Sequence, residues 1–182
     1  MTSGRLKNPP RELRTLGLYH TVLVDPMSWQ LPSLTSLSIT DYTVNLDMIN
    51  RLPTLRSLNI YYPDPHRSMI HDFQHDSAYE GCHLKIRIPT LVDLSLTSCY
   101  VEEMNLPALE TMNLTETVII SGIETLPKKL KIYFVCKAIE LGAYLQDHKK
   151  MKLTLNTLKR RYKDIRVKQT EGYDSGYDSY YE

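Results

Sequence analysis

Leu31-Pro32-Ser33-Leu34-Thr35-Ser36-Leu37-Ser38-Ile39 recurs 21 residues later as Leu52-Pro53-Thr54-Leu55-Arg56-Ser57-Leu58-Asn59-Ile60. The same phrase returns as Ile88-Pro89-Thr90-Leu91-Val92-Asp93-Leu94-Ser95-Leu96, and again as Leu106-Pro107-Ala108-Leu109-Glu110-Thr111-Met112-Asn113-Leu114. A looser copy follows Pro10, with Leu13, Leu16 and Leu18. Another follows Pro127, where Ile132 and Phe134 hold the last two apolar places. Leu153-Thr154-Leu155 reads as a seventh coil or a cap. Counted on the leucine after each proline, the steps 13→34, 34→55, 55→91 and 91→109 are 21, 21, 36 and 18 residues. Self-similarity at such a period marks a repeat architecture.

The phrase explains itself physically. Its last apolar residues alternate with polar ones, as in a strand buried on one face. Proline stands ahead of the strand, where no ladder N–H is required. A single unit leaves its apolar side open, so stability must come from stacking units onto a shared core.

Over residues 10–160 the chain resembles the leucine-rich-repeat superfamily, whose phrase is L-x-x-L-x-L-x-x-N/C-x-L. It keeps L-x-x-L-x-L, but at the Asn/Cys place only Cys99 matches, and the other copies carry Thr21, Tyr42, Pro63 and Thr117. That irregularity is most similar to the arms of F-box-type leucine-rich proteins. The resemblance implies an α/β solenoid, a curved leucine-rich-repeat stack. Its parallel β-sheet would line the concave face, with irregular or short helical returns. It also implies a protein partner, a ubiquitin-ligase component or substrate.

On such a sheet the residues between the buried ones face outward: Thr15, Gly17 and Tyr19; Ser36, Ser38 and Thr40; Ser57, Asn59 and Tyr61; Asp93, Ser95 and Thr97; Thr111, Asn113 and Thr115. They are small, polar and nearly uncharged. One reading is a set of cross-strand hydrogen-bonding ladders. The other is a binding surface with Tyr19 and Tyr61 as amphipathic anchors. The partner-binding candidates are therefore Tyr19, Ser36, Ser38, Ser57, Asn59, Tyr61, Asp93, Ser95, Thr111 and Asn113. Five or six strands give a footprint of roughly 250–400 Å², below the ~800 Å² per partner of a standard interface. Loops must supply the rest.

The 36-residue step exceeds the period by 15 residues and places an inserted loop at about 61–87. It holds His66, His71, His75 and His83. His71 and His75 are four apart, a zinc-chelating spacing on a helix, and His83 is a third candidate. Pro63 and Pro65 precede them, Gly81 interrupts them, and no second ligand pair stands at a recognised distance. The sequence thus assigns no metal and no cofactor.

Composition narrows the class. With 22 Lys+Arg against 21 Asp+Glu the net charge is +1, which argues against a protein built to coat nucleic acid. Cys82, Cys99 and Cys136 are too scattered for a disulfide framework, which points to reduced thiols in cytoplasm or nucleus. Met1 to Pro10 lacks an apolar signal region, and no aliphatic run approaches the ~20 residues of a membrane span. G-x-S-x-G, a phosphate-binding glycine loop and C-x-x-C are all missing, so no enzyme is expected.

Residues 149–168 carry nine cations against Asp164 alone, and read as a solvated cap on the solenoid, or as a polyanion patch centred on Lys159-Arg160-Arg161. The tail repeats Gly-Tyr-Asp-Ser and reads as disordered. Within it Asp174-Ser175-Gly176-Tyr177-Asp178-Ser179 resembles the D-S-G-x-x-S phosphodegron, which assigns Asp174, Ser175, Gly176 and Ser179. The expected organisation is a flexible 1–9, a solenoid over 10–168 and an acidic Tyr/Asp/Ser tail over 169–182. The expected function is a non-catalytic protein-interaction module. The alternatives are a metal-dependent enzyme or sensor using the His-rich insertion, and an RNA-binding protein using the basic stretch.

Overall fold

Each copy of the phrase ends in a short strand. The computed structural model describes residues 10–19, 30–40, 46–61, 83–137 and 145–170. Its strands, numbered in chain order, are Thr15–Tyr19 (β1), Ser36–Thr40 (β2), Ser57–Tyr61 (β3), His83–Arg87 (β4) and Asp93–Thr97 (β5). They continue with Tyr100–Asn105 (β6), Thr111–Thr115 (β7), Val118–Ile119 (β8), Lys131–Lys137 (β9) and Ile165–Thr170 (β10). One helix, Leu145–Arg161 (α1), and two short 3₁₀ helices, Leu46–Arg51 and Ile123–Thr125, complete the described elements.

Seven strands form a sheet in the order β1-β2-β3-β5-β7-β9-β10, and every neighbouring pair is parallel. Leu16, Leu37, Leu58, Leu94, Met112, Ile132 and Ile165 stand in register across it. A second parallel sheet runs β4-β6-β8. The inward residues of both sheets belong to one hydrophobic core, from Leu18 to Phe134. At about 1.5–3 kcal/mol for each fully buried aliphatic side chain, this shared interior is the main stabilising term. The architecture is a parallel-strand β-solenoid.

The leucine–proline corner is a tight turn. The N–H of Leu34 donates to the carbonyl of Leu31, Leu91 to Ile88 and Leu109 to Leu106, each at 3.2 Å. Pro32, Pro89 and Pro107 stand second in these turns, where a fixed φ helps and an N–H is not required. Threonine in the third place ties a corner to the coil before it: Thr54 donates to Leu34 O at 2.9 Å and Thr90 to Leu55 O at 2.8 Å.

After the strand the chain turns through a left-handed residue, Ser98 (φ 54°) in one coil and Glu116 (φ 49°) in the next. Their N–H groups donate to Thr115 O and Val135 O of the following coils, which fixes the turn. Directly behind them stand Cys99 and Thr117, the place at which leucine-rich repeats use Asn or Cys. Thr117 is fully buried, its hydroxyl lying 2.9 Å from Thr115 O and 3.2 Å from Leu96 O, and it accepts the N–H of Cys99. The Cys99 thiol in turn lies 3.3 Å from Thr97 O. Thr21, Tyr42 and Pro63 lie outside the described residues.

The returns differ from the expected irregular or short helical segments. Short 3₁₀ helices are present, but β4, β6 and β8 make most of the described return path a second sheet. Leu153-Thr154-Leu155 is not a seventh coil; it lies inside α1, which packs on β8. The seventh strand of the long sheet is β10, from the basic stretch.

Both edges of the small sheet are closed by side chains. The Asn50 amide donates to Lys85 O at 2.8 Å and accepts the N–H of Arg87 at 2.7 Å, so it pairs with β4 as a further strand would. At the other edge Thr154, buried on α1, accepts the N–H of Ile119 at 3.0 Å. Covered edges do not recruit foreign strands. Thr154→Val keeps the shape and orphans one buried N–H, so denaturant unfolding should show a loss of about 1–3 kcal/mol. Faster hydrogen exchange at the Ile119 amide should accompany it.

Candidate interaction surface

The register of the long sheet decides which outward residues meet. One row runs Thr15, Ser36, Ser57, Asp93, Thr111 and Lys131 across β1 to β9. The next runs Gly17, Ser38, Asn59, Ser95, Asn113, Tyr133 and, on β10, Arg166. The third runs Tyr19, Thr40, Tyr61, Thr97, Thr115, Val135 and Lys168. All ten partner-binding candidates therefore share one face. Alternation puts them there, because the residues between them are the leucines and isoleucines of the core.

Three tyrosines stand out from this face: Tyr19 is 64% exposed, Tyr61 44% and Tyr133 37%, while Thr40, Thr97 and Thr115 beside them are half-buried. Gly17 makes room for the first of them, since a Cβ there would come within 2.9 Å of the Tyr19 ring. Asn59 donates to Ser38 Oγ at 3.3 Å, so part of the row forms the cross-strand bonding that small polar residues offer. Arg166 lies over the Tyr133 ring at 5.6 Å from its centroid. The face is thus uncharged at β1 to β3, carries Asp93 at β5, and turns cationic at Lys131, Arg166 and Lys168.

Lys131, Tyr133, Arg166 and Lys168 were not among the residues selected from sequence. The alternating Lys131-Ile132-Tyr133-Phe134 could have revealed the first two. β10 has no leucine–proline corner ahead of it, so its outward residues had no such signal.

The small sheet carries a different surface. Arg87 makes a two-pronged contact with Glu103, Nε to Oε1 at 3.1 Å and Nη2 to Oε2 at 2.6 Å, and Lys85 pairs with Glu102 at 3.3 Å. The hydrogen bond to Arg87 holds the Glu103 carboxyl below its ordinary value of 4.5, and Glu103 raises the arginine in return. Both partners are exposed, so water screens the pair and its weight in stability is small.

His71 and His75 lie outside the described residues, as do Asp174, Ser175, Gly176 and Ser179; of His83 only the backbone, opening β4, is described. Among the described residues no group of three or more His, Cys, Asp or Glu is placed to hold a metal ion. No described helix is long and apolar enough to cross a membrane.

No protein-family model matches this chain, and no curated protein or solved structure is significantly similar to it. Fold and surface define a parallel-strand β-solenoid that presents a polar sheet face studded with tyrosines.

Proposed function

We propose that the chain is a non-catalytic protein-interaction module of leucine-rich-repeat type, an adaptor or substrate receptor that holds a protein partner against the outer face of the long sheet. The observation that carries this reading is the trio of exposed tyrosines among small polar side chains in register. Tyrosine offers a large contact area with a polar tip and few rotamers to freeze, and is enriched among the residues that dominate binding energy. The leucine-rich-repeat assignment draws support from the repeated phrase and from Cys99 and Thr117, which bond backbone groups behind the strand. A ubiquitin-ligase component or substrate as partner rests on the resemblance to F-box-type arms.

Seven strands span about 29 Å and three outward rows about 13 Å, so the face offers roughly 400 Å². A standard interface needs about twice that on each side, so the inserted segment and the strand-end turns contribute the remainder.

Quantitative affinity purification with the full chain and with Tyr61→Ser/Asn59→Arg tests the proposal. Both positions are exposed, so the melting temperature should stay unchanged. Recovery of specific partners should fall at least tenfold. Undiminished recovery of every partner would remove the sheet face as the binding surface.

A further inference from the structure

Helix α1 carries charge that neither the core nor the sheet face uses. Met151, Thr154, Leu158 and Tyr162 are buried and Leu155 partly so, which fixes the side turned toward β8 and the interior. On the opposite side lie Lys149, Lys152, Leu153, Lys159 and Arg160, and Lys163 follows just past the end of the helix, all exposed. Among the described residues none of these cations pairs with a carboxylate. Like charges three residues apart on the helix, such as Lys149 and Lys152, repel each other. Only the last turn gains from the negative end of the helix dipole. Among the described residues the stripe is therefore a run of positive charge with no carboxylate partner. In its middle Leu153 is 65% exposed.

We infer that this stripe is a docking site for an acidic, tyrosine-bearing peptide, and that its occupant is the chain's own residues 171–182. The segment begins where β10 ends and holds Glu171, Asp174, Asp178 and Glu182 with no Lys or Arg. Its acids recur at steps of 3, 4 and 4 residues, so negative charge is spread along its whole length. Tyr173, Tyr177, Tyr180 and Tyr181 supply ring faces for lysine and apolar surface for Leu153. Twelve residues reach up to about 40 Å, and the helix is about 26 Å long, so length does not limit the contact.

Other occupants fit less well. A second copy would set stripe against stripe and repel. One exposed leucine is too little apolar surface to anchor the helix in a lipid interface, which takes a broad apolar face. The tether also favours the tail, because a short linker supplies an effective concentration on the order of 1 mM. A tail that binds at ~0.1 mM when free would then weaken a competing acidic peptide about tenfold.

The test uses the full chain and a full-length variant with Asp174→Asn, Asp178→Asn and Glu182→Gln. A fluorescent peptide of sequence 171–182 is titrated into each at low salt. The variant should bind it at least tenfold more tightly than the parent, and 0.5 M NaCl should abolish the difference, because screening at that strength is short-ranged. Lys152→Glu/Lys159→Glu introduced into the tail-neutralised chain should remove the binding while leaving the melting temperature in place. Carbodiimide cross-linking of the dilute parent should join tail carboxylates to Lys149, Lys152, Lys159 or Lys163 at a yield independent of protein concentration. Equal peptide affinity for parent and variant would overturn the proposal. So would cross-links that rise with concentration, which mark a second copy. So, too, would a variant that ignores the peptide yet gains binding to phosphatidylserine vesicles or to RNA.

Discussion

Gly122→Ala should destabilise the chain by about 2–5 kcal/mol, a large share of the ~5–15 kcal/mol that holds a typical domain folded. Gly122 has φ +96°, a conformation that costs an L-residue with a Cβ about 1–2 kcal/mol. Space is the harder constraint. A Cβ would fall 2.1 Å from Met104 O, 2.7 Å from Met104 N and 2.9 Å from Met104 C, all of them backbone atoms of β6. Backbone cannot swing aside as a side chain can, so one coil must move away from the next. The turn has no slack to allow it. Ser121 Oγ donates to Glu102 O at 2.7 Å, and Thr125 Oγ1 lies 2.8 Å from Gly122 O and 3.2 Å from Met104 O. Gly17→Ala is the control, because its Cβ would meet only the movable end of the Tyr19 ring. Urea unfolding of the two variants should show a clear loss for the first and a shift below about 1 kcal/mol for the second.

Why sequence alone revealed the long sheet and not the small one follows from period. In the long sheet every strand repeats the same two-residue alternation behind the same corner, so Leu37, Leu58, Leu94 and Met112 announce their shared register. In the small sheet the signal breaks up. β6 places Glu102 and Glu103 side by side because the ladder shifts between Leu84 and Lys85, and β8 is two residues long. β4 does alternate, but it sits inside a stretch whose histidines drew attention to metal chemistry.

The Leu153-Thr154-Leu155 stretch shows the limit of a three-residue pattern. Apolar-polar-apolar fits a strand, yet Met151, Thr154, Leu158 and Tyr162 are the buried set, and their spacing is helical. The edge closures by Asn50 and Thr154 were beyond reach for another reason. Each polar side chain bonds a strand 35 residues away, and no local rule connects the two. On the candidate surface the same logic holds. Tyr19, Asn59 and Tyr61 follow from alternation, whereas Arg166 and Lys168 join the face only because β10 docks in parallel on β9.

Phe134→Ala should cost about 3–5 kcal/mol, and its damage should be local. Phe134 is 1% exposed on β9 and stands in register between Leu114 on β7 and Val167 on β10. Truncation to alanine removes the apolar area of a full ring and leaves a hole that close-packed neighbours fill only in part. Val167 beyond it is 40% exposed, so β10 is the thinly covered end of the stack and leans on the ring for its inner contact. In a solenoid each coil touches its neighbours alone, and stability approximates a sum of coil and interface contributions. The deficit should therefore concentrate in β9, β10 and α1 instead of spreading over the chain. Hydrogen exchange should show amides of β10 and α1 opening well before those of β2 and β3, whose protection stays near the parent's. A uniform loss of protection from β1 to β10 would mean that the molecule unfolds as one block, with its coils coupled far more tightly than nearest-neighbour stacking provides.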